Sequence, residues 1–363
     1  MKIPPKNKKI LLFGPMTPPY NGQAVAFTTI KESYHSKNSI LINTAKFNYS
    51  LVNTLNTIIQ TLYVFLTSSF STIYFTGSRS KLGFIKELPL LLLGKWTNKR
   101  IVNHLHGAEF QVFYENSGFL KPVVKYAYEG VHSTIVLLDE MKNQFTEFPK
   151  MELTTVANCY RGEFDNFQYD RAKKKQLLYF SNLMKSKGIF EFLEASKTLL
   201  ENHPNLIVKI AGSPLADYEM NLETVYSSFQ DIFKKLKNRF PDRIEYLGVV
   251  TGELKLKLFF ESSIFVLPSY YPTEAFPITI IEAMRAGNAI ITTNHNYLSS
   301  IIKPENGKII EPKSADDIVF AVSSLLNDEL QLEKIQQHNT KEAKKKYSQS
   351  RYINEVRSII DSN

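Results

Sequence analysis

PSYYPTEAFPITIIEAMRAG, residues 268–287, follows the apolar run 264–267 and decides how the rest of the chain is read. The run predicts a buried strand and residues 268–273 a polar loop. A helix opens at Pro277 and closes at Gly287, since Pro favours helix starts and Gly the position just past the end. Glu274 stands in the loop and Glu282 within the helix. At about 100° per residue, the eight steps between them return to within about a quarter turn, so both carboxylates can border one cleft. Between them, the free amides and positive dipole end of the helix start, at Ile278 and Thr279, form a ready anion site. A core helix has no need of a diphosphate-sized anion site flanked by carboxylates.

The same alternation of strand and helix runs along the whole chain. Residues 9–13, 39–43, 72–76, 100–105 and 134–138 read as strands, and 24–34, 51–69 and 81–96 as helices. Residues 161–175 are polar and aperiodic and read as a linker. The pattern then starts afresh, with strands at 176–180, 206–211, 244–247, 264–267 and 289–293 and helices at 189–200 and 218–240. Ser314 and Asp317 form a capping-box-like start to the closing helices. Two successive halves of this kind predict an α/β protein of two doubly wound parallel sheets, Rossmann-like, facing a cleft. The length of 363 residues suits two domains better than one.

A hydrophobic fraction of 43% with 22% charged residues is that of a folded globular chain, so disorder is not indicated. Net charge is +9 and uneven: residues 1–165 hold 18 Lys and Arg against 11 Asp and Glu, while 166–363 hold 26 against 24. A basic half can meet nucleic acid, anionic lipid or an anionic substrate. No nucleic-acid-binding signature favours the first. The apolar helix at 81–96, flanked by Lys81, Lys86, Lys95, Lys99 and Arg100, reads either as a cover for the sheet or as a surface that meets an anionic membrane. Cys159, the single cysteine, rules out an intrachain disulfide and points to a reducing compartment. The basic residues 2–9 precede an apolar run too short for a signal peptide, and no run is long enough to span a membrane. A cytoplasmic location, peripheral at most on the inner face of the membrane, is the expectation.

With PS before the two carboxylates and EAM-x-A-G after them, the stretch 268–287 resembles the retaining glycosyltransferases of family 4, which have the two-domain GT-B fold and use nucleotide-sugar donors. The resemblance implies that Glu274 lies by the donor sugar and that Glu282 binds the nucleotide ribose. Family members usually read E-G-F-G after the first Glu, where this chain has Glu274, Ala275, Phe276 and Pro277, restricting backbone approach to the donor. Similar transferases show G-R-L-x-x-x-K-G after the first strand of the second half, with Arg and Lys holding the diphosphate. Lys187 and Gly188 match, and Asn182 stands in place of the Arg. In the first half the family's His-Gly pair, beside the donor sugar, matches His106 and Gly107. Its glycine-bearing first loop matches Gly22. His104 reads as a packed core residue, and a metal pair with His106 finds no third ligand. The family's Pro-Asn-Gly corresponds to Asn158, Cys159 and Tyr160, so no role carries over to Asn158. In GT-B proteins the last helix returns to the first domain, so the expected domains are 1–165 on the acceptor side, 166–345 for the nucleotide sugar, and a closing helix at 346–363.

The resemblance thus implies transfer of a hexosyl unit from a nucleotide sugar, a UDP-sugar foremost, to a glycan or lipid-linked acceptor in cell-surface polysaccharide synthesis such as capsule or O-antigen. No D-x-D motif occurs, so no metal cofactor is expected. A GT-B sugar-nucleotide epimerase would use the same two sheets, and a basic nucleotide-sugar-binding protein without catalysis is the remaining reading.

Overall fold

The computed structural model describes residues 9–18, 21–46, 50–169 and 172–362. The basic residues 2–8, Pro19 and Tyr20 of the first loop, and residues 170–171 of the expected linker lie outside the described residues. Two compact units emerge, Met1–Asn158 with Ser350–Asn363, and Cys159–Gln349.

The first unit is a six-stranded, wholly parallel sheet. Its strands are β1 (Ile10–Gly14), β2 (Ser39–Asn43), β3 (Thr72–Phe75), β4 (Arg100–His104), β5 (Ser133–Val136) and β6 (Glu152–Thr155), in spatial order β2-β1-β3-β4-β5-β6. β1, β3 and β5 are buried throughout. Near-continuous apolar sequence is what a parallel sheet covered on both faces requires. Helices α1 (Gly22–Glu32), α2 (Ser50–Thr67), α3 (Lys81–Trp96), α4 (Phe110–Glu115) and α5 (Lys121–Tyr128) supply the covers. The short α4 and α5 have no counterpart in the sequence reading, because their aromatic residues Phe110, Phe113 and Tyr128 are buried without a sustained period.

The second unit repeats the plan around strands β7 (Lys174–Phe180), β8 (Ile207–Ala211), β9 (Ile244–Tyr246), β10 (Ser262–Leu267), β11 (Ala289–Thr293) and β12 (Gly307–Ile310), ordered β12-β11-β10-β7-β8-β9 and again parallel. Its helices are α6 (Glu163–Asn166), α7 (Ile189–Asn202), α8 (Leu222–Arg239), α9 (Gly252–Glu261), α10 (Ile278–Arg285), α11 (Leu298–Ile301), α12 (Ala315–Asn327) and α13 (Glu329–Lys346). α8 starts later than the expected 218, because the Asn221 side chain accepts the Thr224 N–H at 2.9 Å and caps it there. Ser314 caps α12 by accepting from the Asp317 amide at 3.1 Å. Among the described residues no helix is long and apolar enough to cross a membrane.

The compact units divide at 158/159, where the sequence places the boundary at 165/166. Tyr160 donates its amide to the Tyr347 carbonyl at 3.0 Å, and Arg285 pairs with Asp165 at 2.8 Å, which ties the segment after 158 to the second unit. The expected linker holds α6 and the first residues of β7. Helix α14 (Gln349–Asp361) buries Tyr352, Val356 and Ile360. Residues 350–363 group with the first unit, where Arg357 donates to the Ser33 carbonyl at 2.9 Å and Tyr34 to Asp361 at 2.8 Å.

Each strand order reverses once, between β1 and β3 in the first unit and between β7 and β10 in the second. Connections leave in opposite directions at such a point and open a crevice at the carboxyl ends of the strands. In the second unit the two loops bordering it are stitched together. The Tyr270 amide donates to the Ser186 carbonyl at 2.7 Å. Gly188 sits at φ 73°, and a Cβ there would come within 2.3 Å of the Pro268 carbonyl oxygen.

Gly248 provides a comparison, since it has φ 63° with open space around its Cβ position. Alanine at Gly248 meets only the left-handed backbone penalty of about 1–2 kcal/mol. Alanine at Gly188 meets that penalty and a backbone overlap, and is expected to cost at least about 2 kcal/mol more. Urea denaturation of the two variants checks this, and equal losses would contradict the close approach.

Candidate functional site

The crevice of the second unit collects most of the residues singled out in the sequence. Lys187 leaves the loop after β7 and forms an ion pair with Glu274, in the loop after β10. Their side chains retain 14% and 10% of their exposure, so water screens the pair only weakly. Ser269 donates to the same Glu274 oxygen at 3.0 Å, and the Lys187 ammonium lies 4.9 Å from the centre of the Tyr271 ring. Tyr179 donates to the Asn182 and Lys187 carbonyls at 3.2 and 3.3 Å, fixing the backbone that carries the lysine. Asp217 accepts the Ser186 amide at 2.7 Å from the other side. The Asn182 side chain is exposed.

Helix α10 begins at the same crevice. Pro277 is its N-cap in extended conformation, one position before the helical residue that the sequence pattern suggested. No side chain caps the helix, and the Ile278 and Thr279 amides stand at its start. Ala275 and Phe276 are buried at 3% and 5% exposure, packing the turn that leads from Glu274 to those amides.

Glu282 is set apart from Glu274 by its surroundings. It is buried to 1% exposure, one oxygen paired with Lys255 at 2.6 Å and the other without a protein partner. Burial pushes its pKa up, with Lys255 opposing. Lys255 lies on α9 within 5.5–5.8 Å of the rings of Phe164, Phe180 and Phe259. Sequence reading passed over Lys255, Ser269 and Tyr271. The first lies 27 residues before its partner, beyond any helical or strand period, and the others sit in a loop without one.

His106 and Gly22 belong to the first unit. His106 follows β4, and its ring stacks on His104 at 4.1 Å between centres. Both His106 nitrogens are shielded from water and have no protein partner, whereas His104 is hydrogen-bonded to the Tyr74 hydroxyl at 2.8 Å. Burial holds the His104 pKa down at about 3, and pushes that of His106 well below the usual range with help from His104 and Arg79. Both imidazoles are therefore neutral near pH 7. Gly22 starts α1 beside Asn21, which caps the helix by accepting from Ala24 at 2.9 Å. At the β1/β3 crevice lies a cavity of about 310 Å³, lined among others by Asn21, Gln23, Ser78, Arg79, Glu87 and Glu109. Arg79 and Glu109 pair at 2.7 Å, and each keeps one buried polar atom unpartnered. Burial raises Glu87 to about 7, against two hydrogen bonds from Ser78. Among the described residues no group of three His, Cys, Asp or Glu is placed to hold a metal ion.

Three known proteins are instructive. The chain is 31% identical over 176 residues to an uncharacterized glycosyltransferase of Methanocaldococcus jannaschii, covering 48% of this chain and 42% of that protein. It is 28% identical over 158 residues to the N,N'-diacetylbacillosaminyl-diphospho-undecaprenol alpha-1,3-N-acetylgalactosaminyltransferase of Campylobacter jejuni, covering 43% and 37%. The matched part thus spans less than half the length of either relative. The fold is similar to that of Anabaena HepE, solved in complex with UDP, with a TM-score of 0.77 over 98% of this chain and 100% of that one, at 13% identity. The architecture is accordingly GT-B. The model of the glycosyl transferases group 1 family matches residues 162–347, just over half of the 363. The chain belongs to the glycosyl transferases group 1 family.

Proposed function

We propose that this protein is a retaining glycosyltransferase of family 4 that moves a hexosyl unit from a UDP-sugar to a hydroxyl of a lipid-linked or growing glycan in cell-surface polysaccharide synthesis. The observation that carries the reading is the junction of Lys187, Glu274 and the uncapped start of α10 at one crevice. Breaking the bond from the sugar to the diphosphate leaves negative charge on phosphate oxygens and positive charge on the ring. Lys187 and the Ile278 and Thr279 amides suit the first charge, and the Glu274 carboxylate the second. A phosphate oxygen competes with Glu274 for the lysine, so donor binding loosens the pair and frees the carboxylate to face the sugar.

Glu282, with one buried oxygen unpartnered, suits a ribose hydroxyl. Gly188 admits the close backbone approach, and the exposed Asn182 borders the donor without charge. In the first unit, neutral His106 with two unpartnered nitrogens suits a sugar hydroxyl as donor or acceptor. Gly22 and the Arg79–Glu109 cavity suit a polyhydroxylated acceptor. The name of the Campylobacter relative, with its undecaprenol-diphosphate-linked acceptor, supports the lipid-linked option, and the UDP complex of Anabaena HepE supports the donor. Release of UDP from a panel of UDP-sugars, dependent on a lipid-linked glycan, tests the reading, and the anomeric configuration of the product tests retention.

The two carboxylates are expected to fail differently. An acceptor for ribose hydroxyls holds ground and transition states alike, so Glu282→Gln should raise the donor KM about tenfold or more, a loss of roughly 1.5–3 kcal/mol. Glu274 meets charge that develops only as the bond breaks, so Glu274→Gln should lower kcat at least about a hundredfold. Steady-state kinetics decide it, and interchanged effects on kcat and KM would show the roles to be wrong.

The reading assigns neutralisation of the diphosphate to Lys187 and the helix start, with no divalent metal. Activity should survive EDTA, and Lys187→Ala should lose activity and UDP affinity together. Restoration of EDTA-treated enzyme by magnesium or manganese, or unchanged UDP affinity in Lys187→Ala, would refute the assignment.

A further inference from the structure

Helix α2 turns Asn53, Thr54, Thr57 and Thr61, with Val64, toward the protein and most of its apolar side chains toward solvent. Thr57 and Thr61 are fully buried, and their hydroxyls donate back to the Asn53 and Thr57 carbonyls at 2.7 and 2.8 Å, satisfied within the helix itself. On the opposite side Leu51, Leu55, Ile59, Leu62, Tyr63 and Leu66 are 45–86% exposed. Their three- and four-residue spacing makes one stripe from Leu51 to Leu66, about 24 Å at 1.5 Å per residue. Scattered exposed apolar residues are ordinary on a protein surface, but a continuous row of this length marks a contact surface. The helix contains no Asp, Glu, Lys or Arg to oppose its burial.

The surroundings indicate what covers it. Residues 41–100 hold seven Lys and Arg against one acid, Glu87, which is 2% exposed. Helix α3 packs on α2, and the two meet where Lys86 and Asn53 both donate to the Thr44 carbonyl, at 3.2 and 2.5 Å. The neighbouring Leu82 and Ile85 of α3 are 40% and 41% exposed, and Lys81 at its start is exposed. A second copy of the chain docking face to face would add like charge to the basic start of α3 at Lys81, whereas an anionic bilayer matches the apolar stripe and that charge at once. An uncharged apolar face with cationic and aromatic neighbours lies in the plane of a membrane interface.

We propose that α2, flanked by the basic start of α3, docks on an anionic phospholipid bilayer with its apolar stripe sunk into the headgroup boundary. This deepens the reading above, on which the delivery of a lipid-linked acceptor rests, and names the face that does it. Flotation of the full chain with phosphatidylglycerol–phosphatidylcholine vesicles tests the proposal. Binding should be strong at low salt, weaker at high salt, and weaker still to phosphatidylcholine alone. Leu55→Asp/Ile59→Asp/Leu66→Asp should reduce binding at least about tenfold, leaving melting temperature and UDP affinity unchanged. UDP affinity reports on the glycosyl-transfer reading independently, so the two ideas fail separately. Wild-type protein that ignores anionic vesicles would overturn the proposal, as would a triple variant that binds equally well. So would a wild-type dimer, seen by ultracentrifugation, that the triple variant disperses, because the stripe would then join two copies. The chain has a single tryptophan, so Trp96→Phe/Ile59→Trp provides a folded reporter. Its emission should shift to the blue and be quenched by brominated lipid, and an unshifted spectrum on vesicles would also overturn the proposal.

Discussion

The contact on which the second unit depends is the approach of Gly188 to the Pro268 carbonyl. Only a residue without a side chain fits there, at a backbone angle that L-residues avoid. The approach joins the loop after β7 to the loop after β10, and the Tyr270–Ser186 hydrogen bond locks the join. Lys187, adjacent to that glycine, and Glu274, just beyond Pro268 in the next loop, then meet with little freedom. The reversal in strand order opens the crevice, and the glycine lets its two lips close on one ion pair.

Burial divides the labour between carboxylates that sequence spacing treats as equals. Glu274 shares its oxygen with Lys187 and Ser269 at the edge of the crevice. Glu282 is held by Lys255 behind aromatic rings and keeps one oxygen in reserve. Removing one partner of such a buried pair strands the other charge, so each lysine is bound to its carboxylate energetically as well as geometrically. Likewise His106 is kept neutral by burial, which restricts it to hydrogen bonding near pH 7.

The inner strands of the sheets were legible as apolar runs, whereas the edge strands β6 and β12, half-exposed and polar in part, left none. The apolar runs at β1, β2, β3, β10 and β11 fall within a residue or two of where the sequence places them. The domain boundary was less so, because the polar residues after 158 are fixed by partners nearly two hundred positions away, such as Tyr347 and Gln349. Glu274, Glu282, Lys187 and Gly188 stood out through a motif of fixed spacing, and the structure brings the first, third and fourth to one crevice. Lys255 and Ser269 left no such trace, since their roles come from tertiary proximity alone. Helix α2 was legible as a helix but not as a surface. Spacing alone assigns no face to its Thr and Asn residues, and hydroxyls bonded to the helix's own carbonyls let that face turn inward.

The central claim is that the crevice of the second unit is built for a diphosphate. Calorimetric titration of the wild-type chain with UDP, UMP and uridine tests it most directly. One charge-assisted contact per added phosphate is worth about 1.5–3 kcal/mol, so UDP should bind at least about tenfold more tightly than UMP, and uridine more weakly than both. Equal affinities for UDP and UMP, or no measurable binding of UDP, would contradict the account.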